Sequence, residues 1–324
     1  MVVNRHRFLD MRTRSWWWLL WGALNLHPLG LVAQGTLQEY REVHLGMEVR
    51  MLLVGDSVRT DRAAAAGYDR IAELEDVLSD WRAGSEVRRL EQHPVGEWIP
   101  VSASLRDVLA LALEVARATD GAFDPTIGPL TVLWREAKRT GIPATDSAVA
   151  AARQRVGYRF VELDSAQSRV RLLGEGMRLD LGAIAKGWIL DDALATVRAL
   201  GVENALIEAG GDVVVNGAPP GAIGWRIAYH GSHGEATALC TSGAVSTSGP
   251  SVQWIPGTGG TRESHVIRPS TGRGTTNGHE VTVFGTRAAV TDALATALTL
   301  VPPAARQELA RRFRVTFAEG RLSR

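Results

Sequence analysis

The sequence predicts a mixed fold of helices and strands, and three observations predict it. Its 324 residues are 45% hydrophobic and 22% charged, an ordinary globular composition with room for one large domain or two lobes. Both hydrophobic periods recur along the chain. Alternation from Glu39 to Val54 has the period of a strand, whereas apolar residues three and four apart from Ile71 to Trp81 and from Leu105 to Ala116 trace helix faces. Finally, the tight glycine turn at Gly210-Gly211 lacks the G-x-G-x-x-G spacing of a dinucleotide fold and the Lys-Ser/Thr end of a P-loop.

The 36 basic and 35 acidic residues nearly cancel, which argues against a nucleic-acid groove or a polybasic membrane surface. Residues 1–35 read as a separate object. Arg5, Arg7, Arg12 and Arg14 precede the apolar run Trp16 to Leu26, which softens through His27 and Pro28 toward Ala33-Gln34-Gly35, the layout of a cleaved export signal. The apolar core falls short of the roughly 20 residues a membrane span needs, although an uncleaved inner-membrane anchor extending to Val32 is the alternative. No Cys or Arg-Arg pair stands there, which argues against lipid modification and twin-arginine export. The expected product is one domain over 36–324, periplasmic or otherwise extracytoplasmic. Its single cysteine, Cys240, cannot form an internal disulfide and reads as a small buried residue.

In chain order, Glu39 to Val54 reads as one strand with Val43, Leu45, Met47, Val49, Met51 and Leu53 on one side. Gly46 either admits a ligand close to the backbone or is a plain strand glycine. Asp61 is placed to cap a helix whose stripe is Ile71, Leu74, Val77, Leu78 and Trp81. The helix breaks by Val87, so Trp81 sits at a mouth where it either packs or stacks on a planar ligand. A second helix from Ser104 to about Thr119 stops at Asp120-Gly121. Gly121 to Leu130 follows as an irregular loop that its prolines and glycines make rigid, either a shaped ligand cradle or a connector. Ala148 to Val156 is a short helix, and Phe160 to Leu163 with Val170 to Leu173 a hairpin.

The stretch Arg178 to Asp192 is extended through Asp180, turns at Gly182 and becomes helical from Ala183 to Leu200, with Ile184, Trp188, Ala193, Leu194 and Val197 on one face. Unpaired N–H groups at its start, with Asp180, Ala183 and Lys186 around one small volume, would suit a phosphate-bearing ligand. A strand-turn-helix corner with a solvated lysine is the competing reading. Asn204 to Glu208 and Val213 to Val215 are strands joined by the turn Ala209 to Asp212, and Trp225 to Tyr229 and Ala238 to Ser242 are further strands. Ala244 to Pro250 reads as a hydroxyl-rich turn that bonds phosphates or only shapes the chain. Ser264 to Gly272 places His265 beside a turn. Glu280 to Phe284 is a strand leading into a helix from Arg287 to Leu300, in which Asp292 and Thr296 lie four residues apart on one face. Hard oxygens of this kind suit Mg²⁺, while Asp292 also reads as a first-turn acid favoured by the helix dipole. Pro302 to Phe317 supplies a closing helix and strand.

Several separated motifs stand in a telling order: Trp81 to Leu90, Gly121-Ala122-Phe123-Asp124-Pro125, Asp180-Leu181-Gly182-Ala183-Ile184-Ala185-Lys186-Gly187, Gly210-Gly211-Asp212, Ser248-Gly249, Ser264-His265 and Asp292-Ala293-Leu294-Ala295-Thr296. Together they resemble the ApbE family, the FAD:protein FMN transferases, from about Leu45 to Val301. The resemblance implies a two-lobed α+β fold with mixed and antiparallel sheets, flanking helices and FAD as substrate in a cleft between the lobes. By match to the family's motifs, Leu45, Trp81, Ala122, Phe123, Asp124, Asp180, Lys186 and Ile267 would line the flavin nucleotide. The Ala183 carbonyl, Asp292 and Thr296 would hold Mg²⁺ against the pyrophosphate.

The implied reaction moves FMN onto a threonine of an acceptor protein, often a membrane subunit of an electron-transfer or sodium-pumping complex, and releases AMP. His265 is the candidate general base and Asp292 the second choice. The chain departs from the family at Leu45-Gly46-Met47, where Met-Gly is usual, at Trp81, where Tyr is common, and at Arg268, where Asp is typical. Hydrolysis of FAD to FMN and AMP is one rival reading. Passive FAD storage is another, against which Asp292 and Thr296 argue, because a passive binder needs no metal on the bond that breaks.

Overall fold

The N-terminal alternation folds as a hairpin instead of one strand. Strands β1 (Thr36–His44) and β2 (Met47–Gly55) pair antiparallel through a two-residue turn in which Leu45 and Gly46 both have positive φ, 56° and 71°. Positive φ at both turn positions matches the twist of the flanking strands, so the chain reverses there and the single-strand expectation is corrected. Val49, Met51 and Leu53 are fully buried, whereas Val43, on the other side of the reversal, is 79% exposed.

The computed structural model describes residues 35–321 apart from 233, 250–253, 258–260 and 277–278, and these belong to one compact unit. The export signal or anchor read over 1–35 lies outside the described residues but for Gly35. Among the described residues no helix is long and apolar enough to cross a membrane.

Helix α1 (Ser57–Leu78) is capped by Asp56, which accepts from the Arg59 amide, so the cap lies one turn earlier than Asp61. Asp61 instead accepts a 2.7 Å hydrogen bond from the Tyr40 hydroxyl. Ser85 caps the short α2 (Glu86–Leu90), and β3 (Ile99–Pro100) leads into α3 (Ala103–Ala118), which buries Leu105, Val108, Leu109 and Ala112. The irregular loop then ends sooner than its composition suggests, because α4 (Gly128–Thr140) starts at Gly128. Pro129 in its first turn and the left-handed Gly141 after its last bracket this helix, a signal the sequence carries at both ends. Helix α5 (Asp146–Arg153) precedes β4 (Val161–Asp164) and β5 (Arg169–Leu172), which pair with β3 in the order β3-β5-β4.

Beyond α6 (Ala185–Ala199) come β6 (Asn204–Ala209), β7 (Asp212–Asn216), the hairpin β8 (Trp225–Gly231) and β9 (Gly234–Cys240), and β10 (Ser242–Ser248). The hydroxyl-rich segment near Ala244 is therefore a strand, with Ser246 bonded to Thr291 and Thr247 to Thr282. Short pieces β11 (Trp254–Pro256), β12 (Arg262–Ser264), β13 (Ile267–Arg268) and β14 (Arg273–Gly274) precede β15 (His279–Gly285), α7 (Ala288–Leu300), α8 (Pro303–Phe313) and β16 (Thr316–Arg321).

Among the described residues the main sheet is antiparallel, in the order β1-β2-β6-β7-β10-β15-β16. Alternation divides its faces. Ala205 and Ile207 join the large core with α1, α3, α6 and α7, while Leu206 turns to the other face with Val213, Val215, Trp225 and Ile227. Burying each large side chain contributes about 1.5–3 kcal/mol, which holds α6 between α1 and α7 against the sheet. Gly187 makes that packing close: a Cβ there would collide with the Ala288 backbone, so any larger residue would drive α6 and α7 apart. Half-buried Cys240, the last residue of β9, is free and packs against the second-face cluster of Leu206, Val213 and Trp225.

Candidate active site

The corner before α6 is fastened to the loop after α3. The Asp180 amide donates to the Pro125 carbonyl at 2.8 Å, and the Gly128 amide donates to the Arg178 carbonyl at 3.2 Å. Within that loop the Asp124 carboxylate accepts from the Thr126 amide at 2.8 Å, the Thr126 hydroxyl at 2.6 Å and the Tyr158 amide at 2.9 Å. Burial raises the Asp124 pKa, and those bonds oppose the rise. Its carboxylate is thus committed to shaping the loop, with Phe123 buried and Ala122 half-buried beside it. Asp180 accepts from the Gly182 amide through Oδ1, and its Oδ2 lies 3.7 Å from Arg135.

At the start of α6 the expected row of unpaired amides is largely satisfied. Ile184 and Ala185 donate to the Leu181 carbonyl at 3.0 and 2.7 Å, and Gly187 donates to Asp292 Oδ2 at 3.0 Å. Asp292 reaches it because α7 crosses against α6 at Gly187. An anion here would therefore meet side chains more than free helix amides, which corrects that part of the sequence reading. Lys186 points into the same volume, ion-paired with Asp212 and 3.7 Å from Asp292 Oδ1. Burial lowers the Lys186 pKa, opposed by Asp292. Burial also raises that of Asp292, opposed by Lys186 and the Gly187 amide. Two carboxylates face one ammonium, so the ionised cluster has a negative excess that a cation would offset.

The donors also suit such a cation. Asp292 Oδ1 lies 3.7 Å from Lys186, and one turn further along α7 the Thr296 hydroxyl makes a 3.3 Å bond to Ser248. Among the described residues no cluster of three or more His, Cys, Asp or Glu could hold a metal. One carboxylate and one hydroxyl on the same face of α7, with half-buried Ala183 at the corner before α6, are hard oxygen donors of the type that could hold a divalent cation otherwise liganded by water and phosphate. Asp191 of α6 positions the helix that carries these donors. Its carboxylate accepts from the Ala288 and Ala289 amides at 2.8 and 3.1 Å, capping a helix that has no side-chain cap of its own.

Next to this corner opens a cavity of about 550 Å³ lined by Trp81, Arg88, Glu91, Pro129, Leu133 and Arg178, among others. Trp81 is 73% exposed, and the Arg135 guanidinium lies 3.7 Å from its ring centroid while bonding Asp80 at 2.5 Å. Burial pushes Glu91 up to about 7 even though Arg88 is 2.7 Å away. Its Oε1 accepts the Leu179 amide, one residue before Asp180.

The other sequence candidates fall at two further places. Leu45 is half-buried in its turn, with its amide bonded to Glu75. Ile267 is buried against Leu130 and Trp134 of α4, in a small second core, and exposed His265 meets the Trp134 ring edge-on at 6.4 Å between centroids. Arg268 donates to the Leu300 carbonyl, placing a cation at the C-terminus of α7. That contact ties the His265 turn to the helix of Asp292.

Sequence reasoning assigned no role to Asp212, Asp191, Arg135 or Glu91. For Asp212 a signal was present, since a carboxylate heading the apolar run Val213 to Val215 would be buried and need a partner. Arg135 had none while α4 went unread.

The ApbE family model matches residues 45–318. The FAD:protein FMN transferase of Vibrio cholerae is 32% identical over 237 residues, covering 70% of this chain and 70% of that protein. The FAD:protein FMN transferase of Treponema pallidum is 32% identical over 250 residues, covering 71% of this chain and 68% of its own length. Among solved structures, the flavin transferase ApbE from Vibrio cholerae superposes with a TM-score of 0.78 at 25% identity, covering 87% of this chain and 93% of that one.

Proposed function

This chain belongs to the ApbE family and is a flavin transferase, and from that premise we propose that it moves FMN from FAD to a threonine hydroxyl of an acceptor protein, releasing AMP, with Mg²⁺ as its metal. The observation that carries the proposal is the 3.0 Å bond from the Gly187 amide to Asp292, which brings Lys186 of the corner and the oxygen donors of α7 to one point.

In the proposed step the threonine oxygen attacks the FMN-side phosphorus of the diphosphate. The bond from that phosphorus to the bridging oxygen breaks, AMP leaves with the electron pair, and the threonine proton passes to a base. A diphosphate resists attack because its own charge repels nucleophiles, so fixed positive charge must meet it. Lys186 supplies such charge, and its ion pair with Asp212 holds the ammonium in place. Asp292 Oδ1, Thr296 Oγ1 and the Ala183 carbonyl would hold Mg²⁺, whose chemistry there is to stabilise charge on the departing phosphate. His265 is the proposed base because Asp292 is already engaged by the Gly187 amide, whereas His265 stands on an exposed turn that an acceptor can approach. The cavity beside Trp81 offers the flavin ring an aromatic wall. With the basic and apolar run of residues 1–35 as an export signal, the protein would work outside the cytoplasm, on an acceptor carried by a membrane-bound electron-transfer subunit.

Incubating residues 36–324 with FAD, Mg²⁺ and an acceptor domain bearing a target threonine tests the reading. Covalent flavin on the acceptor with equimolar AMP is expected. AMP with only free FMN would make the chain a hydrolase, and bound unchanged FAD would make it a storage protein.

A further inference from the structure

Glu75 lies outside the site described above, yet its carboxylate joins the Leu45 turn to the segment that carries Trp81 into the cavity wall. It is on the last turn of α1 and only 6% exposed. Its Oε1 accepts the Leu45 amide at 2.7 Å, and its Oε2 accepts from Arg82 at 3.0 Å and lies 3.4 Å from His44 Nδ1. Leu45 and Arg82 are 37 residues apart, and this one carboxylate bonds both.

Each attachment holds backbone that would otherwise relax. Leu45 has φ of 56°, a left-handed conformation that a branched side chain adopts only when its surroundings impose it. A buried acceptor on its amide is such a constraint. On the other side, the Trp81 and Arg82 amides both donate to Ser79 Oγ at 3.2 Å, so the segment leaving α1 turns sharply and Trp81 emerges beside Arg82. The Arg82 side chain folds back to Glu75 and to Asp76, at 2.5 Å. His44 next to the turn is itself stacked on Tyr68, 5.4 Å between centroids and 10° between planes. The Leu45 turn and the Trp81 segment are thereby anchored to the same end of one helix.

We propose that Glu75 is a positioning residue for flavin binding, setting the Leu45 turn and the Trp81 segment at a fixed separation so that the ring enters a preformed slot. The proposal rests on the reading of Leu45 and Trp81 as flavin contacts. A positioning role of this kind acts on the bound nucleotide and leaves the diphosphate chemistry between α6 and α7 untouched.

Steady-state transfer kinetics and FAD titrations on Glu75→Ala, Glu75→Gln, Arg82→Ala and Trp81→Ala test it. For Glu75→Ala, KM and Kd for FAD should rise about tenfold, as expected for loss of a charge-assisted hydrogen bond, with kcat at saturating FAD within about twofold. Glu75→Gln retains an acceptor for the Leu45 amide and should fall between wild type and Glu75→Ala. Bound FAD should be more fluorescent in both Glu75→Ala and Arg82→Ala, because a loosened indole quenches the flavin less. Unchanged KM in Glu75→Gln and Arg82→Ala, or loss confined to kcat, would overturn the proposal even if Glu75→Ala fails to fold. If Trp81→Ala raises KM while the Glu75 and Arg82 variants do not, the positioning role alone is wrong. If Trp81→Ala also leaves KM and fluorescence unchanged, the flavin-contact reading beneath it fails.

Discussion

The corner between α6 and α7 and the mouth around Trp81 solve opposite problems within one site. At the corner the charged groups are buried on two packed helices: Asp292 is 6% exposed, Asp212 1%, and Gly187 allows the backbones to touch. At the mouth Trp81 is 73% exposed, held on one face by Arg135 and open on the other. Groups that stabilise a transition state gain from being fixed in a dry setting before substrate arrives, whereas groups that admit a large planar ligand need an accessible face. The corner should therefore govern turnover and the mouth affinity.

Asp292→Ala should break the corner most severely, lowering kcat by about 1,000-fold, the upper range for removing one preorganised electrostatic group. A calorimetric titration with Mg²⁺ should show metal binding lost in the same variant, while circular dichroism shows the fold retained. Lys186→Met should lower kcat by about 100-fold with a smaller change in FAD affinity. An unchanged kcat there would move the phosphate site away from α6. Trp81→Ala should do the reverse, raising KM for FAD about tenfold with kcat nearly preserved. If it lowers kcat as strongly as Lys186→Met, mouth and corner are not separate in function.

The smallest expected effect sharpens the comparison through pH. Glu91, in the cavity wall, is raised from 4.5 to about 7 by burial, so between those values the folded chain holds a proton that the unfolded chain has released. Its contribution to stability is therefore fully present below about 4.5 and declines as pH rises toward 7. Glu91→Gln removes that titration. Urea midpoints should show wild type losing about 1–3 kcal/mol relative to the variant between pH 5 and 7.5. Parallel profiles would mean that Glu91 is ionised in the fold throughout.

Much of the fold was legible because most elements carry their own pattern. The stripe of α3, the β4–β5 hairpin and the strand before α7 have the period of the surface they bury, and Asp292 and Thr296 were placed together by helix spacing alone. What went unread depended on partners. The β1–β2 reversal hides inside an unbroken alternation, since a two-residue turn disturbs it little when Leu45 supplies one of the left-handed positions. Helix α4 is different: Leu130, Trp134 and Ala137 form an apolar stripe between Pro129 and Gly141, but the segment after Leu130 went unread, and with it Arg135 was missed. The segment near Ala244 carries hydroxyls that read in sequence as phosphate-binding or turn-shaping and are bonded instead to Thr291 of α7 and Thr282 of the neighbouring strand.

By itself the sequence determined the kinds of elements, their approximate limits and the motifs that place the chain in its family, because propensity, capping and periodicity act within a few residues. Tertiary structure alone decided that Asp292 meets the Gly187 amide, that Asp212 pairs with Lys186, and that Glu75 serves both Leu45 and Arg82. Each contact joins segments whose separation reflects which faces pack together. Whether a carboxylate is solvated, caps a helix or offsets a buried charge depends on what that packing brings within about 3–4 Å of it.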